Sequence, residues 1–249
     1  MADKGILIVT GAGRGIGAAT ARLAARAGYV VAVNFLANED AAGRVVAEIE
    51  GAGGTAFAVR ADVSGEAGVT ALFDEVDRRG RLAGLVNNAG IVAPAARVDQ
   101  MDAARLERMM RTNVVGPMLC AGLAVRRMST KAGGKGGAIV NLSSAAARLG
   151  SANEYVDYAA SKAAVDIFTV GLAREVAAEG IRVNALRPGL IETEIHASGG
   201  RPDRVAELKH QVPMGRGGTA DEVAAAVLWL LSDEASYITG ALIDIGGGR

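Results

Sequence analysis

Tyr158 and Lys162 stand four residues apart in the segment YVDYAASK. In a helix, four residues correspond to about 6 Å of rise and about 40° of rotation, so both side chains would lie on one face. A neighbouring ammonium favours the phenolate and lowers a tyrosine pKa, which is about 10 without perturbation. The spacing therefore indicates a tyrosine general acid/base with a lysine partner. A surface tyrosine beside a solvated lysine has the same spacing, and the rest of the chain has to separate these interpretations.

A second tyrosine and a pair of serines lie close to this motif. Tyr155 precedes Lys162 by seven residues, which places it about 10 Å away along the same helix. We therefore predict that Tyr158 is the acid/base and that Tyr155 forms a wall of the pocket. Ser143 and Ser144 follow a predicted strand, and a hydroxyl there can bond a substrate oxygen on which charge develops.

The segments that must position these residues alternate between short β-branched runs and longer alanine-rich runs. The predicted strands cover residues 6–10, 29–35, 55–60, 84–87, 138–142, 182–186 and 241–245. The predicted helices cover residues 16–27, 66–79, 103–131, 155–178 and 222–231, and Asn38 and Thr219 are expected to cap helices. Such alternation predicts right-handed βαβ units. We expect an α/β fold, a single doubly wound Rossmann-type domain over residues 1–249 whose parallel sheet is flanked by helices on both faces.

One long segment, residues 190–218, has no clear secondary-structure pattern and is rich in glycine and polar residues. Long irregular segments in compact domains are usually lids or binding loops, so we predict a substrate loop here. The alternative is a loop without function. His196 and His210 lie in it without a spaced carboxylate or cysteine partner. We therefore expect them to meet solvent or substrate, and we expect no metal site.

The composition excludes several classes of protein. Lysine and arginine number 27 and so do aspartate and glutamate, so no net charge favours nucleic acid or an anionic membrane as partner. Cys120 is the single cysteine, which excludes an internal disulfide and fits a reducing compartment. No apolar run is long enough to span a bilayer, and the N-terminal residues have no signal-peptide pattern. We expect a cytoplasmic protein with a small-molecule substrate.

A glycine loop lies between the first predicted strand and the first predicted helix, in the sequence TGAGRGIG at residues 10–17. Glycines at such a turn allow close approach of a pyrophosphate to the free N–H groups of a helix N-terminus. The spacing departs from the usual G-x-G-x-x-G, whereas the order strand, glycine turn, helix and strand agrees with dinucleotide binding. A purely structural glycine turn is the alternative.

The end of the second predicted strand bears on the choice between NAD and NADP. An acidic residue there would bond the ribose hydroxyl of NAD, but the strand ends in Val33-Asn34-Phe35-Leu36 without a carboxylate. Arg14 in the glycine loop could face a 2′-phosphate, although a solvated loop charge is the alternative. We therefore prefer NADP over NAD and place Asn34 among the cofactor-binding residues.

Seven short segments carry a resemblance to a known family. In chain order they are TGAGRGIG at residues 10–17, Asp62-Val63, NNAG at residues 87–90, Asn113, NLSS at residues 141–144, Tyr158-x-x-x-Lys162, and Arg187-Pro188-Gly189 followed by Thr193. Through them the chain resembles the short-chain dehydrogenase/reductase family over essentially its whole length. The wording of the motifs is most similar to 3-oxoacyl-[acyl-carrier-protein] reductases, with glucose 1-dehydrogenases second.

The resemblance implies roles for individual residues. Tyr158 would exchange a proton with the substrate oxygen as hydride moves at the nicotinamide, and Lys162 would bond the nicotinamide ribose and lower the Tyr158 pKa. Ser144 rather than Ser143 would bond the substrate carbonyl. Asn113 would hold a water linked to Lys162, the alternative being a polar residue that interrupts a helix. With the residues noted above, the predicted cofactor-binding set is Gly11, Arg14, Gly15, Ile16, Gly17, Asn34, Asp62, Val63, Asn88, Ala89, Gly90, Tyr158, Lys162, Pro188, Gly189, Ile191 and Thr193.

The resemblance also bears on assembly and on substrate choice. It implies a homotetramer, for which the alanine-rich helices at residues 103–127 and 155–178 could supply the interface. The interval from Ser144 to Tyr158 is one residue longer than in many members, which places an insertion near residues 149–154 and predicts an altered substrate pocket. A non-catalytic nucleotide-binding sensor is the competing function, but it would be free to lose Tyr158 or Lys162, and this chain keeps both.

Overall fold

A computed structural model describes residues 4–249 of the chain, so residues 1–3 of the predicted domain lie outside the described residues. Seven strands form one parallel sheet in the order β3-β2-β1-β4-β5-β6-β7. The strands are β1 (Ile6–Val9), β2 (Val30–Phe35), β3 (Thr55–Arg60), β4 (Leu82–Asn87), β5 (Gly137–Leu142), β6 (Ile181–Pro188) and β7 (Leu242–Ile245). The predicted doubly wound fold is confirmed.

Helices follow the strands in alternation. They are α1 (Gly15–Arg26), α2 (Glu39–Gly51), α3 (Glu66–Arg79), α4 (Ala103–Met110), α5 (Gly116–Met128), α6 (Ala146–Leu149), α7 (Val156–Val176), α8 (Ile195–Ser198), α9 (Arg204–Leu208) and α10 (Ala220–Leu231). As predicted, Asn38 caps α2 by accepting a hydrogen bond from the Ala41 N–H at 2.9 Å, and Thr219 forms a capping box with Glu222 at the start of α10.

Two apolar clusters cover the two faces of the sheet. Alternate residues of a strand point to opposite faces, so Leu7 and Val9 of β1 join the cluster with α1, α2 and α10. Ile6 and Ile8 join the cluster with α3, α5 and α7. Burial on both faces explains why the central strands are continuously apolar.

The predicted long helix over residues 103–131 is interrupted. A wide π-helical turn at Arg111–Val115 separates α4 from α5, and Asn113 lies buried within it. The α5 helix begins at Gly116, where a Cβ atom would lie 2.5 Å from the Val63 carbonyl oxygen. The extra residue of a π turn leaves no mark on the apolar periodicity, and such turns frequently occur at functional sites.

The segment at residues 190–218 is more ordered than its sequence suggests, because it contains the short helices α8 and α9. Its two ends meet: the Gly218 N–H donates to the Leu190 carbonyl at 2.9 Å, and the Glu192 N–H donates to the Gly218 carbonyl at 2.9 Å. The segment is therefore partly helical, and its role as a substrate loop stays a prediction. The first and last residues of the segment are thus hydrogen-bonded to each other, beside the carboxyl end of β6.

Candidate active site

The carboxyl ends of parallel strands meet at one edge of a sheet, and a cavity of about 490 Å³ opens at that edge. One side of it, here called the inner wall, consists of residues 142–146, at the end of β5 and directly after it, together with Tyr158 and Lys162 of α7. The opposite side, here called the outer wall, consists of cavity-lining residues from 149–155 and 195–211. Ile16 of the glycine loop and Pro188-Gly189 also line the cavity.

Tyr158 and Lys162 share one face of α7, as the spacing predicted. The Lys162 Nζ lies 5.7 Å from the centroid of the Tyr158 ring. This ammonium donates to the Leu142 carbonyl at 2.7 Å, and the Lys162 carbonyl accepts from the Ser143 hydroxyl at 3.1 Å. Two hydrogen bonds to the end of β5 thus fix the buried lysine beside the tyrosine.

The electrostatics of this pair differ from the expectation. Burial lowers the pKa of Lys162 to about 8, against the opposing effect of the Asp166 carboxylate. Burial also raises the pKa of Tyr158, and a hydrogen bond with Ser144 acts in the opposite direction. The predicted lowering of the Tyr158 pKa by Lys162 is therefore wrong in this structure. The reason is that the lysine bonds to the Leu142 carbonyl and both groups are desolvated.

The two serines are separated by their surroundings. Ser143 is buried and its hydroxyl donates to the Lys162 carbonyl, so it has a structural partner within the protein. Ser144 lines the cavity and hydrogen-bonds to Tyr158, and its hydroxyl also accepts from the Ala146 N–H at 3.1 Å. The structure therefore brings Ser144, and not Ser143, to the tyrosine hydroxyl.

Tyr155 lies at the border between the two walls. Its ring packs edge-on against the Tyr158 ring, with centroids 6.0 Å apart and an interplanar angle of 87°. Burial raises the pKa of Tyr155 to about 12. Tyr155 also lines the cavity, in agreement with its predicted position as a wall.

Asn113 reaches the same place from the π turn. Its side chain accepts from the Ile91 N–H at 2.8 Å and donates to the Ile91 carbonyl at 2.9 Å and the Ser161 hydroxyl at 3.1 Å. A Cβ atom on Gly90 would lie 3.4 Å from the Asn113 Oδ1 and 3.5 Å from the Lys162 Nζ. The structure brings Asn113 and Lys162 together at Gly90, while a water held by Asn113 stays a prediction.

The glycine loop forms a cradle suited to a dinucleotide. Gly11 and Gly15 have left-handed φ angles of 62° and 53°, which disfavour other residues. A Cβ atom on Gly17 would lie 2.5 Å from the Asn88 Nδ2, and one on Gly15 would lie 3.4 Å from the Thr193 Cγ2. The loop thus has no side chains where it faces Thr193 and where α1 begins. The glycines at these two places fit a pyrophosphate.

The Asn34 side chain has partners within the protein. It is buried, and its Oδ1 accepts from the Gly11 N–H at 3.2 Å. Its Nδ2 donates to the Ala61 carbonyl at 3.1 Å and the Val59 carbonyl at 3.3 Å. The side chain therefore fixes the glycine loop to β2 and β3, while a contact of Asn34 with the cofactor stays a prediction.

The remaining predicted cofactor residues lie around the same edge. Arg14 is exposed, with its Nη2 3.5 Å from the Ser198 hydroxyl of α8. Asp62 is exposed and accepts from the Ser64 N–H at 2.9 Å, whereas Val63 is buried. Asn88 donates to the Thr10 carbonyl at 2.8 Å. Besides Ile16, Tyr158 and Lys162, the predicted cofactor residues that line the cavity are Asn88, Gly90, Pro188, Gly189, Ile191 and Thr193.

Two buried ion pairs on α7 were not predicted. The Asp157 carboxylate accepts from the Arg105 Nε at 2.8 Å and Nη2 at 3.2 Å, which joins α7 to α4. The Asp166 Oδ2 accepts from the Arg187 Nε at 2.8 Å, and the Asp166 Oδ1 is buried without a described partner. Asp166 follows Lys162 by one helical turn and Arg187 precedes Pro188-Gly189. Nothing in the local sequence marks these pairs.

A third cluster, Glu154 with Arg201 and Arg204, was also missed. It joins the predicted insertion to the predicted substrate loop across the outer wall. Within residues 4–249, no three histidine, cysteine or acidic side chains are close enough together to hold a metal ion. In the same range, no helix has the length and apolar character needed to cross a membrane.

Comparison with known proteins places this geometry among oxidoreductases. The model of the family described as enoyl-(acyl carrier protein) reductase matches residues 11–249. The oxidoreductase YgfF of Escherichia coli K12 is 56% identical over 98% of this chain and 99% of its own length. The cis-4-hydroxycyclohexanecarboxylate dehydrogenase of Sinomonas cyclohexanicum is 41% identical over 98% of this chain and 95% of its own length.

Two further proteins are named for related substrates or cofactors. The 3-oxoacyl-[acyl-carrier-protein] reductase FabG of Staphylococcus aureus is 37% identical over 97% of this chain and 96% of its own length. A crystal structure of a short-chain dehydrogenase from Burkholderia cenocepacia J2315 in complex with NADP superposes with a TM-score of 0.90. It is 32% identical and the match covers 99% of this chain and 98% of that chain.

Proposed function

The chain belongs to the short-chain dehydrogenase/reductase family of NAD(P)-dependent oxidoreductases that act on CH–OH groups, and on this premise we propose that it interconverts a ketone and a secondary alcohol with NADP. The observation that carries the proposal is the meeting of Ser144, Tyr158 and Lys162 on one wall of a cavity that the glycine loop also borders. A proton donor, a hydrogen-bond donor and a cation therefore face the same space.

The inner wall supports a proton transfer coupled to hydride transfer. In reduction, the Tyr158 phenol gives its proton to the ketone oxygen, and in oxidation the phenolate takes a proton from the alcohol. The Ser144 hydroxyl hydrogen-bonds to the same oxygen while charge develops on it. The nicotinamide, when bound, supplies or accepts the hydride. Burial raises the Tyr158 pKa, which favours the protonated phenol that the reduction direction needs.

The cofactor would be held from the strand ends. Gly11, Gly15 and Gly17 leave space for the pyrophosphate at the start of α1, and Pro188, Gly189, Ile191 and Thr193 would hold the nicotinamide. Lys162 would bond the nicotinamide ribose. Asp62 and Val63 would contact the adenine, and Asn88, Ala89 and Gly90 the adenosine ribose.

Two observations support NADP over NAD. The described end of β2 carries no carboxylate that would repel a 2′-phosphate, and Arg14 is exposed beside the glycine loop. The Burkholderia structure contains NADP. Comparing the KM values of NADPH and NADH tests this preference, and a lower KM for NADH would contradict it.

For the substrate, a 3-oxoacyl-[acyl-carrier-protein] reductase activity is supported by motif wording and by the Staphylococcus aureus relative. A sugar dehydrogenase activity of the glucose 1-dehydrogenase kind is the second candidate. A non-catalytic nucleotide sensor is the third, and the complete set of Ser144, Tyr158 and Lys162 disfavours it. We also propose that residues 1–249 form one dinucleotide-binding and catalytic domain whose substrate segment is residues 190–218.

We further propose a homotetramer in the cytoplasm. Exposed apolar side chains on α4, α5 and α7 support an interface there, namely Leu106, Met110, Met118 and Ile167. Analytical ultracentrifugation tests the assembly, and a monomer at micromolar concentration would contradict it.

The test of the activity is NADPH oxidation by the purified protein across a panel of ketones, with two tyrosine variants. Tyr158→Phe should lower kcat/KM by about 10²–10⁴-fold because it removes the transferred proton. Tyr155→Phe is the matched control and should retain activity. Binding of NADPH without turnover in the wild type would favour the sensor, and equal activity of Tyr158→Phe and wild type would refute the acid/base role.

A further inference from the structure

Two guanidinium groups face the cavity from the outer wall. Arg201 and Arg204 both line it, and their side chains are 32% and 11% exposed. The Arg204 guanidinium lies 5.0 Å from the centroid of the Tyr155 ring, which in turn packs against the Tyr158 ring at 6.0 Å. Arg204 is therefore separated from the acid/base by a single aromatic side chain.

A carboxylate of the protein is already hydrogen-bonded to these two guanidinium groups. The Glu154 Oε1 accepts from the Arg201 Nη1 at 2.6 Å and from the Arg204 Nη1 at 3.0 Å, and its Oε2 accepts from the Arg204 Nη2 at 2.7 Å. Two parallel N–H···O bonds from one arginine are the preferred arrangement for carboxylate recognition. These bonds hold the pKa of Glu154 below its usual value. Glu154 thus displays the geometry in which this wall binds a carboxylate.

The cavity lining as a whole carries more cationic than anionic side chains. Glu154 is the only carboxylate side chain among the described residues that line the cavity, whereas Lys162, Arg201, Arg204 and Arg249 all line it. Glu207 also pairs with Arg201, but it does so from outside the cavity. Each guanidinium has five N–H donors, and the described side-chain bonds use two from Arg201 and two from Arg204.

A neighbouring titratable group does not compensate the charge. His196 lines the same wall, and its Nε2 lies 2.8 Å from the Ile191 carbonyl oxygen. Burial, reinforced by the charges of Arg204 and Arg201, lowers the pKa of His196, so the ring is neutral at physiological pH. An anion entering the outer wall therefore meets the arginines with Glu154 as a competitor for both and Glu207 as a second competitor for Arg201.

From this geometry we infer that the substrate is a keto or hydroxy acid, whose carboxylate binds Arg204 and Arg201 at the outer wall while its carbonyl or hydroxyl oxygen meets Ser144 and Tyr158. The inference rests on the proposed interconversion of a ketone and an alcohol, since it assigns the other end of the molecule that Tyr158 protonates, and it favours a free acid over the acyl thioester and the sugar considered above. The substrate carboxylate takes the N–H groups that Glu154 uses, or shares them with it. Glu154 acts as a competitor, so it weakens the binding of anions and leaves neutral ketones unaffected.

The experiment compares oxo acids with their methyl esters as substrates for NADPH oxidation. Levulinate, 6-oxoheptanoate and 4-oxocyclohexanecarboxylate place the carboxylate at different distances from the ketone, and each ester removes the charge with little change of shape. We expect at least one acid to exceed its ester tenfold or more in kcat/KM, through a lower KM. Arg204→Gln should abolish that preference, so that the acid and its ester have similar kcat/KM values.

Glu154→Gln provides the decisive second variant, because its expected effect has the opposite sign. It should lower the KM of the preferred acid several-fold without changing that of the ester, which a destabilised variant cannot do. Glu48→Gln is the matched control, since Glu48 pairs with Arg22 and neither residue lines this cavity, and it should leave the acid-to-ester ratio near the wild-type value. Equal ratios in wild type, Arg204→Gln and Glu154→Gln would overturn the inference.

Failure of the inference and failure of the proposed function are distinguishable. If neutral ketones react and the oxo acids do not, inhibition by cyclohexanecarboxylate against cyclohexanecarboxamide decides, and equal inhibition overturns the carboxylate site. If no ketone reacts, the proposed activity is wrong, and calorimetric binding of cyclohexanecarboxylate to wild type and Arg204→Gln decides the site alone. Binding lost in Arg204→Gln supports it, and absence of binding to wild type overturns it.

Discussion

The two walls of the cavity are built from different kinds of interaction. On the inner wall, buried hydrogen bonds join Lys162 to the end of β5, and a chain of amides runs behind it from Asn87 to Asn141 at 2.9 Å and on to Thr169 at 2.9 Å. On the outer wall, partly exposed charges of Glu154, Arg201 and Arg204 join two loops. The polar groups of the inner wall are buried and cannot bond to water instead of to each other. The charged side chains of the outer wall are partly exposed and can exchange their protein partners for solvent or ligand.

This difference separates the reaction from the choice of substrate. Buried polar groups that lose a partner incur the full cost of desolvation, so the arrangement around Tyr158 tolerates few substitutions. Exposed ion pairs contribute about 0–1 kcal/mol each, so we expect the partly exposed Glu154 and Arg201 to change with little loss of stability. A fixed reaction centre and an adaptable substrate wall can therefore coexist in one cavity, and the following substitutions test the contrast in order of expected effect.

Asn141→Ala should have the largest effect on stability. The substitution removes one acceptor from the Asn87 amide and one donor to the Thr169 hydroxyl, while their bonds to the Pro117 and Val165 carbonyls remain. Each lost buried hydrogen bond is expected to cost about 1–2 kcal/mol. We expect the free energy of unfolding in urea to fall by about 2–4 kcal/mol. Glu154→Gln on the outer wall is the comparison and should change it by less than about 1 kcal/mol. Equal losses at the two sites would remove the proposed distinction between the walls.

Lys162→Met should stabilise the protein at neutral pH while abolishing most activity. The native pKa of about 8 lies below the unfolded value of about 10.4. Between these values the unfolded chain binds a proton that the native chain has lost, so wild-type stability rises with pH from about 8 to about 10.4. The variant lacks this dependence and should be more stable than wild type by about 1–3 kcal/mol at pH 7.

Urea titrations of both proteins at several pH values measure this difference. The gap between Lys162→Met and wild type should narrow as the pH rises above 8 and close near pH 10.4. A gap that stays constant with pH would mean that Lys162 titrates in the native protein as it does in the unfolded chain.

Asp166→Asn should alter the pH dependence of kcat/KM more than the maximum value of kcat/KM. The negative charge of Asp166 raises the pKa of Lys162 against the effect of burial. Removing that charge should therefore move the alkaline limb of kcat/KM, where Lys162 loses its proton, to lower pH. Asp157→Asn is the matched control because Asp157 also lies on α7 and is also a buried partner of an arginine, Arg105. A limb that moves equally in both variants would show a general loss of packing.

The sequence predicted the elements well because their signals are local. Apolar alternation marks the strands, Asn38 and Thr219 mark helix starts, and the four-residue spacing marks Tyr158 and Lys162. Missed features depend on residues distant in the chain. The Asp166–Arg187 pair spans 21 residues, and Glu154 meets Arg201 and Arg204 from 47 and 50 residues away.

Desolvation was the other property that local reasoning missed. The spacing of Tyr158 and Lys162 indicated a lowered tyrosine pKa, but burial raises it and instead lowers that of the lysine. The sequence also did not show that the Asn34 amide holds the glycine loop, because its partners lie on other strands. Burial and long-range partners are absent from a linear pattern.

The smallest expected effect concerns the backbone of the outer wall. Ser151 and Asn153 adopt left-handed φ angles of 49° and 61° in the predicted insertion. A left-handed conformation costs a non-glycine residue about 1–2 kcal/mol, and the entropy lost by glycine offsets about 0.5–1 kcal/mol of that. Ser151→Gly should therefore raise the free energy of unfolding by up to about 1 kcal/mol, whereas Ala152→Gly, whose φ is not left-handed, should lower it slightly. Urea titration of both variants measures the difference, and equal destabilisation would show that this loop carries no backbone strain.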